Sequence, residues 1–244
     1  MLSLLLCIAT FNGTPADFPQ DDWRLLATKA QEAEAAGNLA EAKKLLDAAI
    51  KVEPKRADLY SIRGGVHFKL GSVEESLADF NQQILLKPQD KAAHWRRGLS
   101  LYYAGKYAEG AAQFVSSDRA EPEDVENAVW HLLCNARAKG LDAARKEMLS
   151  VKNDSRIPMM EVYALFAGNS TIDKVLAAAE TSQAMSEKEK QAHRFYAHLY
   201  CGLFAEMIKQ PEKARELITK AVQKYPVNHY MQNVGEVHLK LRAK

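Results

Sequence analysis

The feature that most constrains this chain is a spacing of 34 residues kept by several positions at once. Gly37, Gly71 and Gly105 obey it, as do Pro54, Pro88 and Pro122, and Leu46, Phe80 and Phe114. Small residues recur in the same register at Ala42, Ser76 and Gly110, and again at Ala30, Gly64 and Gly98. One short motif arises easily by chance, whereas independent columns sharing a period mark a repeated supersecondary unit. Such a unit cannot bury its apolar face alone, so copies must stack in line.

The residues within one period say what the unit is. An amphipathic helix runs from about Arg56 to Leu70 and ends at Gly71, a residue suited to a left-handed helix end. A second helix, Val73 to Leu86, is expected to place Leu77, Phe80, Ile84 and Leu85 on one face. Pro88 then prevents continuation. Small side chains at Gly64 and Ser76 allow the two helices to approach closely, and Phe80 fills the space between one hairpin and the next. Helix is predicted for more than about two thirds of the chain, against about one third in an ordinary globular protein. No strand is expected.

This arrangement of small, small, aromatic and proline positions over 34 residues resembles the tetratricopeptide repeat. The resemblance implies an all-α fold, a right-handed superhelical solenoid of helix hairpins occupying residues 17–244. Units fall near 23–56, 57–90 and 91–124, with a degenerate one at 125–158, where Ala144 holds the small position and Pro158 comes late. A clear unit at 195–228 carries Gly202, Ala214 and Pro226. Between them two shorter helices break at Gly168-Asn169, and a capping helix is expected at 229–242. Residues 94–145 and 195–242 are similar in order and spacing to the NlpI family of bacterial lipoproteins. That similarity implies a periplasmic adaptor whose partners are envelope hydrolases or proteases. Leu6 before Cys7 departs from a lipobox, which wants a small residue there, and this departure from the family puts the membrane anchor, and hence the location, in doubt.

Residues 1–16 read as a possible signal peptide, with an apolar stretch over Leu2–Ala9 and small residues before Asp17, although no Lys or Arg precedes it. Export follows from that reading, and a cytoplasmic location is the alternative. With 33 basic and 31 acidic residues the formal charge is +2, which gives no electrostatic footprint for nucleic acid. No apolar run reaches the length of a membrane span.

Hairpin solenoids expose a concave surface built from the first helix of each unit. In the repeat frame that surface carries Asp58, Ser61, Gly65, Phe68 and Lys69, then Trp95, Arg96, Leu99, Tyr102 and Tyr103, then Val129, Trp130, Leu133 and Arg137. Aromatic residues and arginine are the types that anchor partners in grooves, so these positions are the expected partner-binding site for protein or peptide. The alternative is that Trp95 and Trp130 pack between units. His131 with Cys134, and His198 with Cys201, form two H-x-x-C pairs whose members share a helix face. They are the weak candidates for a metal site, against the reading that they are core residues. The sequence holds no phosphate-binding glycine loop, no G-x-S-x-G and no H-E-x-x-H, so no enzyme activity and no cofactor are expected. A binding scaffold is therefore the primary reading, a small-molecule or metal-binding repeat protein the second. Packing of the end helix, His229 to Leu241, on another copy is a third possibility.

Overall fold

A computed structural model describes residues 22–120, 122–181 and 186–242. The possible signal peptide and Cys7 lie outside them. Of the described residues 77% are helical and none forms a strand. Thirteen α-helices follow one another: α1 (Trp23–Ala35), α2 (Leu39–Val52), α3 (Ala57–Leu70), α4 (Val73–Leu86), α5 (Trp95–Tyr103), α6 (Tyr107–Ala120), α7 (Val125–Lys139), α8 (Leu141–Lys146), α9 (Met159–Ala167), α10 (Ile172–Ala178), α11 (Glu187–Met207), α12 (Pro211–Thr219) and α13 (Tyr230–Leu241). None of them is long and apolar enough to cross a membrane.

The 34-residue period acts first on the turns. Gly37, Gly71 and Gly105 sit at φ of 78°, 79° and 76°, the left-handed conformation that a side chain disfavours and that closes each hairpin. The period acts next on packing. A Cβ added at Gly64 would lie 2.7 Å from the Phe80 ring, and one at Gly98 would lie 2.6 Å from Phe114, so the small residue and the aromatic are two halves of one contact. Leu85 departs from expectation and is 73% exposed, while Gln83 is buried. Eight residues at 100° each carry Leu85 about 80° from Leu77, off the packed face.

The same period spaces a ladder of polar contacts. Arg63 donates to Asp47 at 2.8 Å and to Asp79 at 2.7 Å, tying the second helices of two successive hairpins. Thirty-four residues on, Arg97 donates to Asn81 at 2.7 Å and Gln113 at 3.0 Å. The second rung keeps the geometry of the first with amides in place of carboxylates. The third unit opens differently from its predecessor: Pro88–Lys91 forms a short 3-10 turn, and α5 starts only at Trp95, where the His94 ring nitrogen accepts the Arg97 N–H at 3.2 Å.

The core falls into two clusters, one from Ala27 to Val66 and a larger one from Phe68 to Val237. The larger cluster forms because the last helix does more than close the end of the stack. Helix α13 returns to α3, and the Lys240 ammonium donates to the Leu70 carbonyl at 2.6 Å across 170 positions of sequence. Met231, Val234 and Val237 are 3%, 0% and 1% exposed, so its apolar face is covered. The Tyr230 ring stacks on Phe68 at 5.6 Å and meets Trp95 edge-on at 5.1 Å. The helix expected as a cap therefore lies in the concave face, because that face offers the aromatic surface its own apolar stripe needs.

Candidate functional site

Helix α13 decides the fate of the expected groove. Phe68, Leu99, Tyr102 and Trp130 are 0%, 1%, 0% and 2% exposed and belong to the core, so they offer no free surface to a partner in this state. Gly65, Val129 and Leu133 are buried with them. Tyr103 is half-buried, and its hydroxyl lies 3.1 Å from the His238 ring on α13. The polar members of the groove tie units together. Lys69 bonds Glu34 at 2.8 Å, Arg96 donates to Ser61 at 2.8 Å, and Arg137 donates to the Tyr102 hydroxyl at 3.2 Å, each reaching 35 residues back. Arg137 also pairs with Glu206 of α11 at 2.6 Å. Asp58 is exposed and paired with Arg56 at 2.6 Å.

The groove is not filled completely. Between α5, α6, the start of α7 and the start of α13 remains a cavity of about 140 Å³, lined by Trp95, Leu99, Phe114, Asp124, Glu126, Asn127, Trp130, His229 and Met231. That size is close to an engineered cavity of about 150 Å³ that admits benzene. Three of the expected groove residues, Trp95, Leu99 and Trp130, thus meet in one place. Its walls are aromatic on the α5–α6 side and acidic at the α7 terminus.

The acidic side is built by helix-end chemistry. Asp124 caps α7 by accepting the Glu126 N–H at 2.9 Å, which places Glu126 and Asn127 in the first turn, facing the cavity. Arg156 donates to Glu126 at 2.8 Å, to Asp124 at 2.5 Å and to Asp154. Asp154 in turn accepts the Val125 N–H at 3.2 Å. The Tyr200 hydroxyl donates to the other Glu126 oxygen at 2.5 Å. Burial pushes the Glu126 carboxyl above its ordinary range against the opposing pull of Arg156. Burial also pushes Asp154 upward, but its bonds to Arg156 outweigh that and hold it low. One guanidinium thus serves three carboxylates. At the mouth, the His229 ring accepts the Met231 N–H at 3.4 Å and lies 3.0 Å from the Tyr196 hydroxyl, while burial lowers its proton affinity.

The two H-x-x-C pairs are spent on packing. His131 bonds Asn135 at 3.0 Å, and the Cys134 sulfur sits where a Cβ on Gly110 would be only 2.8 Å away. His198 contacts the Arg194 carbonyl at 2.8 Å, and the Cys201 thiol points to the Ile172 carbonyl at 3.8 Å. Burial pushes the Cys201 thiol up to about 12 and raises Cys134 as well. Among the described residues no three His, Cys, Asp or Glu side chains gather in a metal-binding group.

The sequence reading missed Asp124, Glu126, Asn127 and His229. The first three were legible as a helix start, and nothing local in the sequence says that a helix about a hundred residues later covers them.

Residues 28–94 match the model of the tetratricopeptide repeat. Tetratricopeptide repeat protein 28 of Homo sapiens is 30% identical over 82 residues, covering 34% of this chain and 3% of that protein. The match thus spans only a small part of that relative. Among solved structures, a tetratricopeptide repeat protein from Parabacteroides merdae superposes with a TM-score of 0.57 at 17% identity, covering 93% of this chain and 86% of the other. MamA from Desulfovibrio magneticus gives a TM-score of 0.50 at 15% identity, covering 85% and 96%. At these identities the likeness shows the fold, a solenoid of tetratricopeptide hairpins.

Proposed function

We propose that this protein is a non-enzymatic scaffold that holds a protein or peptide partner, and that an anchor from the partner enters the cavity between α5, α7 and α13. Tetratricopeptide repeat proteins generally mediate protein–protein interactions. The observation that carries the proposal is the partly filled concave face. Helix α13 covers most of the aromatic surface and leaves an opening of about 140 Å³ beside Trp95 and Trp130. A pocket of that size takes one side chain or chain end, which is how a small number of buried anchors supply most of an interface's binding energy. The surrounding helices are held by inter-unit bonds, so binding draws on a pre-formed surface.

The similarity to the NlpI family extends the proposal to the cell envelope, with hydrolases or proteases as partners. Mass spectrometry of the mature amino terminus from the native host tests that location, since an intact Met1 would remove the export step. The scaffold itself is tested by affinity capture with the full chain and with Trp95→Ala. Partner recovery that falls in the variant, at unchanged helix content by circular dichroism, supports the proposal. Equal recovery by both proteins places the binding surface elsewhere.

A further inference from the structure

We infer that the cavity between α5, α7 and α13 is a recognition site for an alkylammonium group carrying a nearby hydroxyl or carbonyl oxygen. The inference rests on the reading above, in that it names the chemistry of the anchor the cavity accepts.

Two properties of the walls select a cation. Trp95, Phe114 and Trp130 supply aromatic surface to the lining. Aromatic faces attract ammonium groups through their quadrupole, tryptophan most strongly, and sets of such rings are the usual way proteins hold alkylated ammonium. The same lining holds Asp124 and Glu126, backed by Asp154, and among the described residues Arg156 is the cation bonded to them. Three carboxylates against one guanidinium leave an excess of negative charge at the cavity. An anionic ligand would meet that excess, and the guanidinium is already engaged by all three carboxylates.

The oxygen requirement comes from a buried donor. Trp130 is 2% exposed, and its Nε1–H is buried without a hydrogen-bond partner among the described residues. A buried donor left unsatisfied costs about 1–3 kcal/mol, so it marks a place where an acceptor belongs. A hydroxyl or carbonyl two or three bonds from the ammonium would serve this donor while the cation rests against the rings and carboxylates. Two sources share this chemistry: a free amino alcohol of the choline type, and a lysine side chain or amino terminus presented by a partner.

The test uses the full chain and matched probe pairs, with binding read by calorimetry. Choline is compared with 3,3-dimethylbutan-1-ol, its uncharged isostere. A short lysine peptide, blocked at both ends, is compared with the same peptide carrying norleucine. The expected result is that at least one charged probe binds ten-fold or more tightly than its neutral partner, and that Asp124→Asn and Glu126→Gln remove most of that difference. Asparagine caps a helix as well as aspartate does, so Asp124→Asn keeps the α7 terminus intact. Preference for choline assigns the site to a free small molecule, and preference for the lysine peptide assigns it to a partner's side chain. Equal binding of charged and neutral probes, or no binding of any probe to the folded wild-type chain, overturns the inference. The capture experiment with Trp95→Ala is independent of these probes, so a scaffold that binds its partner through other chemistry would still be recognised there.

Discussion

Tyr230 holds the first turn of α13 in the concave face, and two substitutions there should move stability in opposite directions. Its ring stacks on Phe68 at 5.6 Å with planes 27° apart, and meets Trp95 at 5.1 Å and 87°. Each such pair contributes about 0.5–1.5 kcal/mol beyond area burial. Complete removal of a fully buried aromatic costs about 3–5 kcal/mol, and Tyr230 is only partly buried, so Tyr230→Ala should cost about 2–4 kcal/mol. The hydroxyl behaves oppositely. It is buried with no partner among the described residues, so Tyr230→Phe relieves a desolvation penalty and should be neutral or stabilising by about 1 kcal/mol. Urea unfolding followed by tryptophan fluorescence reads both, because Trp95 is in contact with the mutated ring; an unchanged m-value shows that the shift is one of stability. A neutral Tyr230→Ala would refute the seating of α13, and a destabilising Tyr230→Phe would show that the hydroxyl has a bond the structure does not contain.

Phe80→Ala and Phe114→Ala should each cost about 3–5 kcal/mol, since both rings are fully buried against a glycine that has no atoms to close the gap; chemical denaturation measures it. Arg63→Met should cost about 3 kcal/mol by stranding Asp79, which is 5% exposed, and adding Asp79→Asn should recover most of the loss. The parallel Arg97→Met breaks bonds to amides only and should cost about 1–2 kcal/mol. Acid should weaken the fold before the carboxylates titrate. Burial holds His94, which faces Arg96, Arg97 and Asp90, down to about 4, and holds His238, which faces Glu206, Arg242, Arg137 and Tyr103, down to about 4 as well. The unfolded histidines protonate near 6.5, so the unfolded chain takes up protons first as pH falls. Stability is then full above about pH 6.5 and drops toward pH 4, by about 3 kcal/mol per histidine at most. Thermal melts from pH 7 to 4 should show that slope, reduced in His238→Gln, and a flat profile would contradict it.

How much of this was legible in the sequence depends on distance along the chain. The 34-residue columns gave the hairpin ends, because a left-handed turn at Gly71 and a proline at Pro88 are local requirements. They gave the Gly64–Phe80 contact too, since both partners repeat in register. The Arg63 and Arg97 rungs share a spacing of 16 residues to either side, but amides replace carboxylates in the second, so no charge pattern repeats to mark them. The apolar stripe of α13 was visible as Met231, Val234 and Val237, but its target was not: a helix that returns across 170 positions shares no period with the face it covers. For the same reason aromatic residues of groove type at Phe68, Tyr102 and Trp130 turned out to be core, while the acidic wall at Asp124 and Glu126 read as an ordinary helix start. Arg156, which organises that wall, lies in an irregular stretch at the end of the degenerate unit, where no repeated column marks it.

The seating of α13 across the concave face is what the account depends on, and amide hydrogen exchange of the full chain measures it directly. Residues 231–241 should be protected to the same degree as residues 60–70 of α3, because the two helices share one buried aromatic contact. Exchange of 231–241 at the rate of a free helix, with α3 still protected, would show that the concave face stands open and that its aromatic residues are free to meet a partner unaided.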